Sequence, residues 1–181
     1  MPALRDGAQC RSGRLSAKWK IVVGWVVIIV VLDQLTKFIV DRTMPLHYSI
    51  PIIDGLFSLT YVRNTGAAFG IFSGSHESFR LPFLILVSIL ALGFVFMMLK
   101  RLPEEQTGLI TALALIIGGA LGNLIDRLLY GEVIDFLDVY WGHYHWPAFN
   151  VADSCITIGV TITLYYLIKE KGEDPFAAKQ T

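Results

Sequence analysis

The chain alternates between long charge-free stretches and short polar ones. Between Arg80 and Lys100 lie 19 residues without a charge, LPFLILVSILALGFVFMML. Between Glu105 and Asp126 lie 20 more, QTGLITALALIIGGALGNLI, and between Asp153 and Lys169 another 15, SCITIGVTITLYYLI. A fourth run, IVVGWVVIIVVL, is interrupted at Asp33 and resumes to Val40. A helix needs roughly 20 largely apolar residues to cross a bilayer. The pattern predicts four transmembrane helices, at about 19–40, 81–99, 107–128 and 148–168. A soluble bundle would need polar outer faces, and the second run has none. The first run is too long, and lacks the small-residue site, for a cleaved signal sequence.

Composition agrees. Only 17% of the 181 residues are charged, 54% are hydrophobic, and the mean hydropathy is +0.58. Disorder would need low hydrophobicity and high net charge, but the net charge is zero. Cys10 and Cys155 are too few for a disulfide scaffold. The chain has no basic excess to suit a nucleic acid. The charges do set an orientation. Ten of the Lys and Arg residues lie in the amino-terminal tail, the turn at Lys100–Arg101 and the carboxyl-terminal tail. By the positive-inside rule both termini are cytoplasmic, and the loops at about 41–80 and 129–147 face outward. The domain division is then a basic tail over 1–18, a membrane domain over 19–168 and a second tail over 169–181.

The outer loops are structured. Residues 50–72 are rich in β-branched and aromatic types, with turn signals at Asp54-Gly55 and Asn64–Gly66, and predict two or three short strands. The second loop predicts a strand or short helix around Val133–Tyr140. Tyr140, Trp141, Tyr144 and Trp146 fit either an interfacial belt or a platform that clamps something at the membrane surface.

Charges inside membrane helices are costly and are functional candidates by default. Here they are Asp33, Lys37, Asp126, Arg127 and Asp153. Asp126 falls in the last turn of helix three. Asp153 falls five residues into helix four, about 8 Å along it at 1.5 Å per residue. The two helices run in opposite directions, so the two aspartates come to similar depth. Facing carboxylates in a dry site hold one proton between them. One can then act as general base on water while the other polarises a carbonyl. The competing reading pairs each aspartate locally, with Arg127 for instance, or makes Asp153 part of a helix cap with Asn150. Asp33 and Lys37, at i and i+4, form a self-neutralising pair that orients helix one.

Other chemistry has weaker signals. His143-x-His145 lacks the further ligands of a metal site, and His47 and His76 are isolated. Cys155 reads as a packing residue, and Cys10 follows no apolar run. Ser73, Ser75 and Ser78 lack a base partner. Gly118, Gly119 and Gly122 allow close helix packing. The residues alone leave three functions open: an aspartyl endopeptidase, a small transporter or proton relay using the same carboxylates, and a non-catalytic lipid- or peptide-binding module.

Five blocks resemble those of bacterial lipoprotein signal peptidase (signal peptidase II): LDQLTK (32–37), YVRNTGAAFG (61–70), GGALGNLIDR (118–127), GEVIDF (131–136) and PAFNVADS (147–154). They occur in the family's order and cover about 19–168. The resemblance implies a catalytic pair at Asp126 and Asp153. It implies substrate-holding positions at Asn64, Asn123, Arg127 and Asn150, and a supporting pair at Asp33 and Lys37. The implied fold is four transmembrane helices with a small extracytoplasmic sheet as cradle and a mobile cover in the second loop. The implied substrate is a prolipoprotein carrying diacylglycerol on its lipobox cysteine, cut just before that residue in the inner membrane. No metal or organic cofactor is implied. Membrane lipid and globomycin-type cyclic peptides are the other implied partners, and nothing demands more than a monomer. The long basic amino-terminal tail and Cys155 depart from the family pattern without touching the pair.

Overall fold

The computed structural model describes residues 16–66 and 76–169. Ser73, Ser75, Cys10 and the tail charges beyond these limits lie outside the described residues. Four helices are long and apolar enough to cross a membrane: α1 (Ala17–Thr43), α2 (Glu77–Arg101), α3 (Thr107–Tyr130) and α4 (Val151–Lys169). Three start or end within a few residues of expectation. α4 starts at Val151, not 148. Trp146–Phe149 instead runs extended beside a strand, with Phe149 N–H donating to Leu137 O at 3.0 Å and Leu137 N–H to Phe149 O at 2.8 Å. Pro147 favours that extended path because the residue before a proline avoids the helical region. Asp153 is therefore the third residue of its helix, in the first turn, and not a turn deeper.

The sheet is antiparallel, in the order β1 (Ser49–Ile53), β2 (Phe57–Asn64), β3 (Val133–Trp141), β4 (Tyr144–His145). The first two strands turn at Asp54-Gly55, as the sequence predicts. β2 and β3 join distant parts of the chain: Arg63 pairs with Ile134 and Asn64 with Val133. The second loop is thus strand, not helix, over Val133–Trp141.

α3 is the hub. It packs on α1, α2 and α4 and is buried along most of its length. Its glycines permit this. A Cβ on Gly119 would lie 2.4 Å from Ala152 O, and one on Gly122 would lie 2.6 Å from Asp33 Oδ2. The other helices leave wide apolar faces open, for example Leu86, Leu90 and Phe94 on α2. Such faces suit lipid and have no place in water. One core cluster, around Leu99, Ile110 and Leu113, joins α1, α2 and α3. Lys18 closes that end by donating from Nζ to Leu102 O at 2.8 Å, capping α2 from α1. A second cluster, Val40, Tyr61, Ile134 and Phe136, joins the sheet to α1. A group of buried polar side chains lies between the two.

Candidate active site

Lys37 organises the polar group. Its ammonium has three N–H bonds and meets three acceptors: Asp33 Oδ2 at 2.8 Å, Asp126 Oδ2 at 2.9 Å and Asn123 Oδ1 at 3.0 Å. Lys37, Asp33 and Asp126 are all essentially buried. The helix-one pair is therefore shared: the lysine neutralises a carboxylate of α3 as well as its own neighbour. Asp33 spends its other oxygen on Ala152 N–H at 2.9 Å, holding the amino-terminal end of α4 where a negative charge is favoured.

Each amide's orientation follows from this anchor. Because the ammonium demands an oxygen, Asn123 must present Oδ1 to Lys37 and Nδ2 to the other side. That Nδ2 donates to Asp153 Oδ1 at 2.7 Å. Asp153 Oδ2 accepts Asn150 N–H at 3.3 Å, while Asn150 Oδ1 accepts Asp153 N–H at 2.9 Å. This reciprocal pair is a capping box made by Asn and Asp. The cap reading of Asp153 holds, and it coexists with a cavity role because the other carboxylate oxygen faces Asn123.

A cavity of about 780 Å³ opens between α2, α3, α4 and the Trp146–Phe149 segment. Its polar end carries Asn64, Asn123, Arg127, Asp135 and Asp153; Leu84, Val87 and Ile156 line the apolar remainder. Asp126 is not on this wall. Its oxygens are taken by Lys37, by Gln34 Nε2 at 2.8 Å and by Ile134 N–H at 3.2 Å. The reason is helical geometry. Asn123 and Arg127, four apart on α3, share the face toward the cavity, while Asp126 turns toward α1. The expected meeting of Asp126 with Asp153 does not occur: Lys37 and Asn123 stand between them.

Asp135 of β3 takes that place. It is 2% exposed and accepts Asn64 Nδ2 at 3.0 Å and Asn150 Nδ2 at 2.7 Å. Burial, and then the neighbouring Asp153 charge, push its pKa up to about 7. Asn150, fully buried, thus touches both cavity carboxylates, one through its side chain and one through its backbone. Arg127 reaches Gly66 O and Asn123 O, both at 3.3 Å. Neither Asp135, which lies on a strand, nor Gln34, which is uncharged, belongs to the charges within helices. Its signal was a lone acid inside the apolar run VIDFL. His145, half of the H-x-H, lies 3.0 Å from both oxygens of Asp138 and stacks on Tyr140.

Four membrane-length helices and two carboxylates on one cavity wall, Asp135 buried and Asp153 half-buried, fit a polytopic membrane hydrolase. Comparison with known proteins narrows this. Residues 25–169 match the family model described as signal peptidase (SPase) II. The chain is 59% identical to a lipoprotein signal peptidase of Geobacter sulfurreducens over 78% of this chain and 87% of that one. It is 47% identical to one of Syntrophus aciditrophicus over 81% and 91%. A solved bacterial membrane enzyme, determined in meso at 2.3 Å, superposes with a TM-score of 0.74 at 34% identity, covering 84% of this chain and 90% of that one. The chain belongs to the signal peptidase II family, and it is a multi-pass membrane peptidase.

Proposed function

We propose that this peptidase removes the signal peptide from diacylglyceryl-modified prolipoproteins, with Asp135 and Asp153 as its catalytic pair. The observation that carries the assignment is that these two carboxylates share the cavity wall, whereas Asp126 and Asp33 are held by Lys37 away from it. At neutral pH the pair holds one proton. The ionised member takes a proton from a water between them as its oxygen attacks the scissile carbonyl. The protonated member donates to that carbonyl oxygen, and collapse of the tetrahedral intermediate passes a proton to the leaving amine. Arg127 and Asn64 stand beside the pair, where they hold the extended substrate backbone. Asn123 and Asn150 orient the carboxylates, and Asp33, Lys37 and Asp126 form the support.

The apolar remainder of the cavity suits an acyl chain or the flank of a signal helix. Lipid-exposed irregular backbone is not tolerated, so an unwound scissile segment needs such a protein-lined chamber. The charge bias supports an orientation with both termini in the cytoplasm and the sheet on the outer face of the inner membrane. The reaction needs no metal or organic cofactor. Globomycin-type cyclic peptides occupy the same cavity, and one chain is sufficient for the site. A transporter or relay would use the carboxylates to move protons without cutting a chain.

The test is cleavage of two precursors in liposomes, one with a diacylglyceryl cysteine and one unmodified, with products read by mass spectrometry. The expected product begins at the lipidated cysteine, and the unmodified precursor stays intact. Proton flux without any cleavage would support the transporter.

A further inference from the structure

Arg63 and Asn64 are neighbours on β2, so their side chains leave opposite faces of the strand. Asn64 faces the site. Its Nδ2 donates to Asp135, and its Oδ1 accepts Gly66 N–H at 2.9 Å, in the turn whose carbonyl meets Arg127. Arg63 faces away, and every nitrogen of its guanidinium is used. Nε donates to the Tyr61 hydroxyl at 2.8 Å, Nη1 to Glu132 at 2.9 Å and Nη2 to Asp41 at 2.7 Å. Tyr61 in turn donates to Asp41. The guanidinium carbon also lies 5.7 Å from the ring centres of both Tyr61 and Tyr130. The partners belong to three places: the end of α1, β2 itself, and the turn between α3 and β3.

The end of β2 needs such a fastening. Its ladder with β3 is interrupted between Leu59 and Val62, leaving a tail of Val62, Arg63 and Asn64 opposite Asp135, Ile134 and Val133. The described chain then leaves the sheet. An isolated half-exposed ion pair contributes little. A planar fork onto two carboxylates and a hydroxyl is different, because it fixes direction as well as distance.

We propose that Arg63 is a positioning residue for the catalytic pair: by locking the end of β2 to α1 and to the α3–β3 turn, it sets Asn64 against Asp135. The inference rests on the assignment of Asp135 and Asp153 as the reacting groups. Asp135 is faced by Asn64 from β2, by Asn150 and Asp153 at the start of α4, by Lys37 from α1 and by Arg127 from α3. Of these, Asn64 is the one carried on the same strand as Arg63. Releasing it removes a hydrogen bond that favours the ionised form of Asp135. The turnover then falls, and the alkaline limb of the pH profile moves to higher pH. A brace that only stabilised the sheet would lower the yield of folded enzyme and leave that limb where it was.

The experiment is a double-mutant cycle on the full chain in liposomes, with kcat, KM and the pH profile measured per folded molecule. Arg63→Gln is expected to lower kcat about tenfold to a hundredfold, the scale of a small misplacement of reacting groups, with less effect on KM. Glu132→Ala, which removes one arm, moves both readouts the same way by less. Arg63→Lys keeps the charge but cannot serve three acceptors in a fork, so it does not restore kcat. In an Asn64→Ala background, Arg63→Gln adds little. Additive losses in the cycle, full rescue by lysine, or an unmoved alkaline limb would overturn the proposal. An active Asp135→Asn enzyme would instead overturn the assignment of the pair, while the cycle still reports whether Arg63 acts through Asn64.

Discussion

Two groups of acids, all but the half-buried Asp153 fully buried, occupy the sheet end of the helix bundle, and they are built on opposite principles. Asp33 and Asp126 share the ammonium of Lys37, with remaining acceptor capacity filled by Gln34 and by the backbone N–H groups of Ala152 and Ile134. Asp135 and Asp153 are held mainly by the amides of asparagines and, among the described residues, touch no cation directly. The first group has its charge settled by a partner and is closed to the cavity. The second lines the cavity with its charge unsettled, which is the condition for moving protons near neutral pH. Depth and sequence spacing do not separate the two groups; the helix face and the location of the lysine do.

The comparison breaks most readily at Asp153. Asp153→Asn removes one of the two proton-handling groups and is expected to lower kcat by about 10⁴-fold, read as initial rates on a lipidated precursor. The capping position itself survives in that variant, because asparagine also caps.

On the other side, Lys37→Met leaves Asp33 and Asp126 buried without their cation. Breaking a buried ion pair from one side costs about 3–5 kcal/mol. Thermal unfolding in detergent micelles should show a large drop, accompanied by loss of activity. An unchanged melting temperature would remove the distinction between settled and unsettled acids.

A pH profile sharpens the comparison further. The pKa of Asp135 is raised to about 7. Above that pH the pair loses its remaining proton and the second carboxylate can no longer donate to the substrate carbonyl. kcat/KM, which reports the free enzyme, is therefore expected to fall by about tenfold per pH unit on the alkaline side. A flat profile from pH 6 to 9 would argue that the proton is not shared.

Smaller effects follow from packing. Gly122→Ala puts a methyl 2.6 Å from Asp33 Oδ2 and 3.3 Å from Ala152 Cβ. Asp33 is fixed by Lys37 and Ala152 and cannot yield, so the substitution is expected to cost about 1–3 kcal/mol. Trp141→Ala, at a site 81% exposed, should change thermal stability by less than about 0.5 kcal/mol.

Much of this was legible in the chain itself. The charge-free runs marked all four helices, because a bilayer imposes a length and composition that few other environments require. Asp54-Gly55 marked its hairpin. The hydropathy pattern places the start of α4 early because Pro147–Phe149 is as apolar as a helix; only the pairing of Phe149 with Leu137 shows it to be extended. Depth and the family resemblance both pair Asp126 with Asp153, and depth is a one-dimensional argument blind to rotation about the α3 axis. The side of α3 that meets α1 depends on Gly118 and Gly122 packing against Ile29 and Asp33, a contact between distant segments. Asp135 was harder still. It is not in a helix, and its approach to Asp153 depends on β3 pairing with β2 and turning back into the Asn150 cap.

The central claim is that Asp135, and not Asp126, works with Asp153. The most direct measurement is single-turnover cleavage of a diacylglyceryl-modified precursor by Asp135→Asn and Asp126→Asn, each normalised to folded enzyme by its melting transition. The predicted result is no cleavage above background by Asp135→Asn, and a reduced but measurable rate per folded molecule by a destabilised Asp126→Asn. Cleavage by Asp135→Asn within about tenfold of the unsubstituted enzyme, with none by a folded Asp126→Asn, would contradict it.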